Sequence, residues 1–147
     1  MPNTDLRNIL LIDDSPSDIL LTKRAFQKAN IVNPLVVIED GQEALDYLLY
    51  QGPYEGKGHD LPSLILLDLK LPGVDGLEIL RVIRSNPKTK RLLVVILTSS
   101  KEEQDRAAGY DLGVNSYIRK PVDFTEFVTS VSQMGMYWLI INEAPPL

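Results

Sequence analysis

The sequence predicts an α/β protein built on a five-stranded parallel, doubly wound sheet. Short aliphatic runs recur along the chain, segments with helical periodicity separate them, and polar residues follow several of the runs. Strands that alternate with helices form right-handed βαβ units, which place parallel strands in one sheet with helices on both faces. A chain of 147 residues can bury one core of this size.

Five apolar runs are predicted to be strands. Each is short and rich in Leu, Ile or Val, as expected for strands that are covered on both faces. The run LILLD, for example, lies between Pro62 and the turn Pro72-Gly73. The predicted strands cover residues 8–12, 34–39, 64–68, 92–98 and 116–118.

Segments with helical periodicity fill the intervals between the runs. Ser15-Pro16 and Asp123 are typical helix starts. After Asp123, apolar residues recur at the spacing of a core-facing stripe: Phe124, Phe127, Val128 and Val131. The predicted helices cover residues 17–30, 41–50, 74–85 and 101–112, with a fifth from Asp123 onward.

The connection over residues 51–62 is longer than most helix-to-strand loops and contains three glycines and two prolines. We expect it to form a surface loop. Its His59 is the only histidine in the chain, and a lone histidine in a loop is usually solvated.

Composition excludes several classes of function. With no cysteine, the chain has no disulfide and no thiolate site, which suits a reducing cytoplasm. A net charge of -5 without a basic cluster argues against direct nucleic-acid binding. No apolar run approaches the roughly 20 residues of a membrane helix, and the first residues lack a signal pattern. We expect a cytoplasmic protein without membrane insertion.

Carboxylates follow two of the predicted strands. Asp13 and Asp14 follow the first strand in ILLIDDSP, and Asp68 ends the third. The first and third strands of a parallel sheet end on the same side, so these three groups should converge. Their repulsion requires protonation, a cationic side chain or a divalent cation, and oxygen-rich sites of this kind suit Mg²⁺.

Two further polar residues lie at the ends of other predicted strands. Thr98 ends the fourth strand, and Lys120 follows the fifth in YIRKP. A hydroxyl group and an ammonium group beside a carboxylate cluster can each bind a phosphate oxygen. The set predicts a phosphoryl site with Asp68 as the nucleophile, since a carboxylate can accept a phosphoryl group as an acyl phosphate.

These motifs resemble those of the receiver domains of two-component response regulators, which have a flavodoxin-like (βα)5 fold. The resemblance covers residues 8–135 and rests on IDDS, LLDLKLPGVDG, LTSS and YIRKP. It implies that Asp68 accepts a phosphoryl group from the histidine of a sensor kinase, and that Lys120 and Thr98 bind the acyl phosphate. Tyr117 would turn inward when Thr98 moves.

The resemblance also implies a metal site and a pathway. Mg²⁺ would be held by Asp14, Asp68 and the backbone carbonyl of Lys70, with Asp13 placed through water. The long loop and the last residues are similar to the single-domain regulators of bacterial phytochromes, particularly in cyanobacteria. On this interpretation the protein is a phosphoacceptor that catalyses only its own phosphotransfer and dephosphorylation, and it signals by protein contact.

Two alternatives belong to other classes. An aspartyl-phosphate-type phosphatase needs a second acid two residues after the nucleophile, where this chain has Lys70. A flavin-binding doubly wound protein needs a phosphate-binding loop rich in Ser, Thr or Gly after the first strand, where this chain has the acidic DDSPSD. Both are therefore disfavoured.

The end of the chain is unusually apolar. We expect a receiver domain over residues 1–135 and an apolar extension over residues 136–147, without a separate output domain. A helix packed on the sheet can bury only one face of the run MGMYWLIIN, and exposed apolar surface of this size marks a contact site. The sequence therefore predicts a homodimer. The alternative is that the extension folds back over its own domain.

Overall fold

The computed structural model describes residues 7–98, 113–120 and 122–133, and these contain the predicted five-stranded parallel sheet. The strands are β1 (Ile9–Ile12), β2 (Leu35–Ile38), β3 (Leu64–Asp68), β4 (Leu93–Thr98) and β5 (Ser116–Arg119). The α-helices of this part of the chain are α1 (Pro16–Lys28), α2 (Gly41–Leu49), α3 (Gly76–Ser85) and α4 (Phe124–Gln133).

The strand order is β2-β1-β3-β4-β5, and all neighbouring strands are parallel. The order reverses between β1 and β3, and in doubly wound sheets the binding crevice lies outside the carboxyl ends of the strands at this reversal. Ile12 of β1 is paired in register with Leu67 of β3. Asp13 and Asp68, the next residues on each chain segment, therefore emerge side by side.

Alternate residues of each strand supply the two faces of the sheet, because successive side chains point in opposite directions. On one face, α2 and α3 pack over a cluster that includes Leu10, Ile65 and Val94. On the other, α1 and α4 pack over Ile9 and Leu66 among others. The two apolar clusters explain why the strands are apolar throughout rather than alternating.

The helix starts follow the predicted signals. The Ser15 side chain caps α1 by accepting the Asp18 backbone N–H, and Pro16 occupies the first turn. Before α4, the Asp123 carboxylate accepts the Glu126 backbone N–H at 2.9 Å. In the predicted stripe of α4, Phe127 and Val131 are fully buried, and the Phe127 ring lies 4.9 Å from that of Phe26.

Two glycines bring the loop after β3 back to the start of α3. Gly73 has φ 79°, which favours glycine. A Cβ on Gly76 would lie 2.6 Å from the Asp68 carbonyl oxygen and from Leu69 Cα, so only glycine allows this approach. The helix predicted from residue 74 begins two residues later, at Gly76, because Asp75 has the extended backbone of an N-cap residue.

The loop over residues 51–62 is folded, and the prediction that His59 is solvated is wrong. The loop contains a short 3-10 helix (Gly52–Tyr54). The His59 ring stacks between those of Tyr47 and Tyr50 at centroid distances of 4.2 and 4.5 Å, and its Nε2 lies 2.7 Å from the Tyr47 carbonyl oxygen. The histidine therefore anchors the loop to the end of α2.

Several predictions fall on residues that the structure does not describe. These are the helix predicted over residues 101–112 and the apolar extension over residues 136–147. Across the described ranges, no helix combines the length and the hydropathy needed to cross a membrane.

Candidate functional site

The carboxylates predicted to converge do so at the carboxyl edge of the sheet. One ligand oxygen from each of Asp13, Asp14 and Asp68 lies within 4.8 Å of the others. Asp13 is fully buried, Asp68 is 5% exposed and Asp14 is exposed. The cluster is thus a buried pair of acids with a third at its open side.

Lys120 provides the positive charge beside the two buried acids. Its Nζ lies 2.9 Å from Asp68 Oδ2 and 3.2 Å from Asp13 Oδ2. The Lys120 backbone N–H donates to the Thr98 carbonyl at 2.9 Å, which holds the chain after β5 against the end of β4. The lysine predicted from YIRKP therefore reaches both strand ends at the reversal of the sheet.

Burial and neighbouring charge change the acidity of these groups. Burial raises the pKa of Asp13 to about 6, and the nearby Asp68 carboxylate adds to this, although a hydrogen bond from Ser15 and the Lys120 charge oppose it. For Lys120, burial lowers the pKa, but hydrogen bonds to Asp18 and Asp68 outweigh it, so the pKa is raised overall. The raised pKa keeps Lys120 positively charged at neutral pH.

The donor set fits a hard divalent cation. Asp13 Oδ2 is buried and makes no hydrogen bond, although it lies in ion-pair range of Lys120. A buried carboxylate oxygen in this position retains unused coordinating capacity, and carboxylate oxygens are the ligands that Mg²⁺ and similar ions prefer. Three such groups within one coordination sphere, one of them at the open side, can bind such an ion.

The backbone of Lys70 also borders the cluster. Its N–H donates to Asp68 Oδ1 at 3.0 Å, while the Lys70 side chain is exposed. The resemblance to receiver domains implies that the backbone carbonyl of Lys70 is a metal ligand. The observed hydrogen bond involves the amide group, and it fixes one oxygen of Asp68 while Lys120 contacts the other.

Thr98 lies at the end of β4, as the sequence predicts, and Tyr117 lies within the neighbouring strand β5. Thr98 is 3% exposed at the end of β4, and Tyr117 is half-buried in β5, where it is paired in register with Ile96. Tyr117 packs against the cluster under α2 and α3. Because side chains alternate along a strand, Thr98 projects toward this same face, two residues beyond Ile96.

One acid of the site was missed by the sequence analysis. Asp18, in the first turn of α1, places Oδ2 2.8 Å from Lys120 Nζ. Its only sequence signal was an acidic residue four positions after Asp14, which is equally typical of any helix start.

The chain is similar to proteins of one family along most of its length. Residues 9–132 match the model of the response regulator receiver domain. Response regulator Rcp1 of Synechocystis sp. is 40% identical over 131 residues, which cover 89% of this chain and 88% of Rcp1. A probable methanogenesis regulatory protein, FilR2 of Methanothrix harundinacea, is 38% identical over 93% of this chain and 86% of its own length.

Solved structures of similar proteins have the same architecture. The bacteriophytochrome response regulator RtBRR has a TM-score of 0.86 at 44% identity, over 96% of this chain and 85% of that one. The Mn²⁺-bound form of Rcp1 has a TM-score of 0.74 at 38% identity, over 96% of this chain and 98% of that one. These similarities extend beyond the sheet to the segments that carry the site.

Asp13→Asn should alter how stability depends on pH in metal-free protein. The Asp13 pKa is about 6 in the folded state against an ordinary value of 3.8, so the folded state binds this proton more tightly than the unfolded chain does. The Asp13 contribution to stability is therefore present below about pH 4 and is lost as the pH rises through about 6. Wild type should therefore lose stability relative to the variant as the pH rises. Between about pH 4 and about pH 6, we expect the unfolding free energy of wild type to fall by about 2 kcal/mol relative to that of the variant.

Urea unfolding at several pH values in a chelating buffer measures this difference. Excess Mg²⁺ is the internal control, because a bound cation stabilises the Asp13 carboxylate and should reduce the change. Parallel pH profiles for the two proteins in the chelating buffer would contradict the assignment of Asp13 as a buried acid with a raised pKa.

Proposed function

Because the chain belongs to the response regulator receiver domain family, we propose that it is a phosphorylation switch in which Asp68 accepts a phosphoryl group from the histidine of a sensor kinase. One observation carries the choice of Asp68: its carboxylate ends β3 at the reversal of the sheet, beside Asp13 and 2.9 Å from Lys120 Nζ. Receiver domains are signalling proteins, and the phosphorylated residue of the family is an aspartate.

The chemistry requires little more than positioning and charge. The bond between phosphorus and the kinase histidine nitrogen breaks, and a bond between phosphorus and an Asp68 oxygen forms, which gives an acyl phosphate. Lys120 supplies a fixed positive charge for the transferred group, and Thr98 supplies a hydroxyl group. The Lys70 amide holds the other Asp68 oxygen.

We propose Mg²⁺ as the cation of this site. Asp14, Asp68 and the Lys70 carbonyl group would hold it, with Asp13 contributing through water. When bound, it would offset the negative charge of the phosphoryl group next to the carboxylates. The buried Asp13 oxygen without a hydrogen bond supports this proposal, as does the existence of a Mn²⁺-bound form of the similar protein Rcp1.

We further propose a phytochrome-type kinase as the phosphoryl donor, in the cytoplasm, where a kinase obtains its phosphoryl group from ATP. RtBRR is named as a bacteriophytochrome response regulator, and its similarity supports this pathway. The output would be contact with a downstream protein rather than with nucleic acid. The protein would catalyse only its own phosphorylation and dephosphorylation.

The two alternative functions are not favoured. If the protein were a phosphatase, the general acid would stand at position 70, and the structure places an exposed lysine there. If it bound a flavin, phosphate would bind after β1, where the structure places Asp13 and the exposed Asp14. The similarity to receiver domains agrees with neither.

Asp68→Asn should abolish phosphorylation and leave the fold intact, because it removes the nucleophile and one of the repelling charges. The measurement is transfer of radiolabelled phosphate from a purified phosphorylated histidine kinase in the presence of Mg²⁺. Asp75→Asn, at the start of α3, is the matched control and should label normally. Full labelling of Asp68→Asn would overturn the assignment.

Thr98→Ala and Lys120→Ala should separate phosphorylation from its structural response. Transfer depends chiefly on Asp68 and the cation, whereas the response needs a hydroxyl group and an ammonium group that move toward the phosphoryl group. We expect both variants to be labelled, Lys120→Ala more slowly than wild type because it lacks the ammonium group. In both, amide exchange around Tyr117 should stay as in the unphosphorylated protein. If phosphorylation changed amide exchange around Tyr117 in both variants as much as in wild type, the switch would lie elsewhere.

We also propose that the protein is a homodimer. The dimer would form through residues 136–147, which follow a receiver domain over residues 1–135. These last residues lie outside the described part of the chain, so the apolar sequence run alone supports it. Deletion of residues 136–147 should convert a dimer into a monomer that still accepts phosphate on Asp68, because the site lies at the strand ends. Sedimentation of the full chain as a monomer at tens of micromolar, with and without phosphorylation, would refute the dimer.

A further inference from the structure

The contact between Asp18 and Lys120 is the shortest that the lysine makes with a carboxylate among the described residues. Lys120 Nζ lies 2.8 Å from Asp18 Oδ2, compared with 2.9 Å to Asp68 and 3.2 Å to Asp13. The Asp18 side chain is 18% exposed and that of Lys120 is 12% exposed, so water screens this pair only weakly. An ammonium group has three N–H donors, and three carboxylates surround this one.

Local structure holds Asp18 in this position independently of its side chain. The Asp18 N–H donates to Ser15 Oγ, and its carbonyl oxygen accepts the Thr22 hydroxyl at 2.8 Å. The helix cap is therefore made by Ser15 and the Asp18 backbone, which leaves the Asp18 carboxylate available to Lys120. The positive end of the helix dipole at the start of α1 also favours a carboxylate here.

The other two partners of Lys120 have a competing use. Asp13 and Asp68 belong to the group of three carboxylates that can hold a cation, and Asp18 does not. An ammonium group and a divalent cation repel each other and compete for the same carboxylate oxygens. When a cation binds, Lys120 must weaken its contacts with Asp13 and Asp68 and still stay beside the oxygen that receives the phosphoryl group.

We propose that Asp18 is a positioning residue for the phosphoryl chemistry, which holds the Lys120 ammonium group from α1 so that a divalent cation can occupy the Asp13–Asp14–Asp68 group without displacing the lysine. This inference rests on the proposed function for the role of Lys120 in phosphotransfer. The competition between lysine and cation that it describes exists in the unphosphorylated protein as well. Asp18 acts only through Lys120 and touches neither the phosphoryl group nor the cation.

A double-mutant cycle on cation binding tests this role without any phosphoryl donor. Asp18→Asn keeps the size of the side chain and removes its charge, and Lys120→Met removes the ammonium group. Titration calorimetry with MgCl₂ should show at least about threefold weaker binding for Asp18→Asn than for wild type, because Lys120 then depends on the metal ligands. In the Lys120→Met background, Asp18→Asn should change Mg²⁺ affinity much less.

Two controls separate this role from general effects. Glu39→Gln, after β2, removes one negative charge on the same edge of the sheet without removing a partner of Lys120, and it reports the effect of charge alone. Urea unfolding of each variant shows that the protein is folded under the conditions of the titration. A purely structural role for Asp18 would lower stability but would not make the change in Mg²⁺ affinity depend on Lys120.

Phosphotransfer from a labelled histidine kinase at saturating Mg²⁺ provides the second measurement. Asp18→Asn should be slower than wild type by at least about threefold, and Asp18→Glu, which keeps the charge, should recover part of the rate. Equal Mg²⁺ affinity of Asp18→Asn and wild type, or the same loss of affinity in both lysine backgrounds, would overturn the inference. Failure of wild-type protein to accept phosphate would instead overturn the proposed function, and the binding cycle would still test Asp18.

Discussion

The negative charge at the carboxyl edge of the sheet is the constraint on which the rest of this structure depends. Three carboxylates, two of them buried at adjacent strand ends, contact the Lys120 ammonium group, and a fourth, that of Asp14, lies beside the buried pair. Such a cluster is unfavourable in isolation, because each buried carboxylate loses hydration and repels its neighbours. Lys120 makes the cluster tolerable, and the raised pKa of Asp13 shows that the compensation is incomplete. An incompletely neutralised cluster of carboxylate oxygens favours the binding of a divalent cation.

The fold maintains this arrangement by holding each charged group from a different element. Asp13 and Asp68 emerge from adjacent strands, Asp18 from the first turn of α1, and Lys120 from the chain after β5. The close approach at Gly76 presses the start of α3 against the end of β3, which limits the path of the loop that follows Asp68. Because the supports are separate, a change at the phosphoryl site can be transmitted to several elements at once. This property suits the proposed phosphorylation switch.

At the opposite edge of the sheet, the described residues are held together by hydrogen bonds of Arg84 and by stacked aromatic rings. Arg84, at the end of α3, donates to the carbonyl oxygens of Lys90, Leu92 and Gly113, and so joins the segments that lead into β4 and β5. Burial lowers the pKa of Arg84. On the same edge, the stacked rings around His59 tie the loop over residues 51–62 to α2. The contacts of the amino edge thus join loops to helices, whereas the charged groups of the site gather at the carboxyl edge.

The sequence by itself determined the sheet, its parallel sense and the positions of Asp13, Asp14, Asp68, Thr98 and Lys120 at strand ends. These features follow from local patterns, since short aliphatic runs and turn residues mark strands whatever packs against them. Other features depend on side chains that meet across the fold, and no local pattern encodes them. Asp18 has the sequence context of an ordinary acid at a helix start, and it is a partner of Lys120 only because the lysine side chain reaches from the end of β5 to the start of α1. His59 has the sequence context of a solvated loop residue. It is a half-buried anchor only because its ring stacks against Tyr47 in α2 and Tyr50 just after it. Tertiary structure decided both because an interaction between residues distant in sequence exists only once the chain has folded.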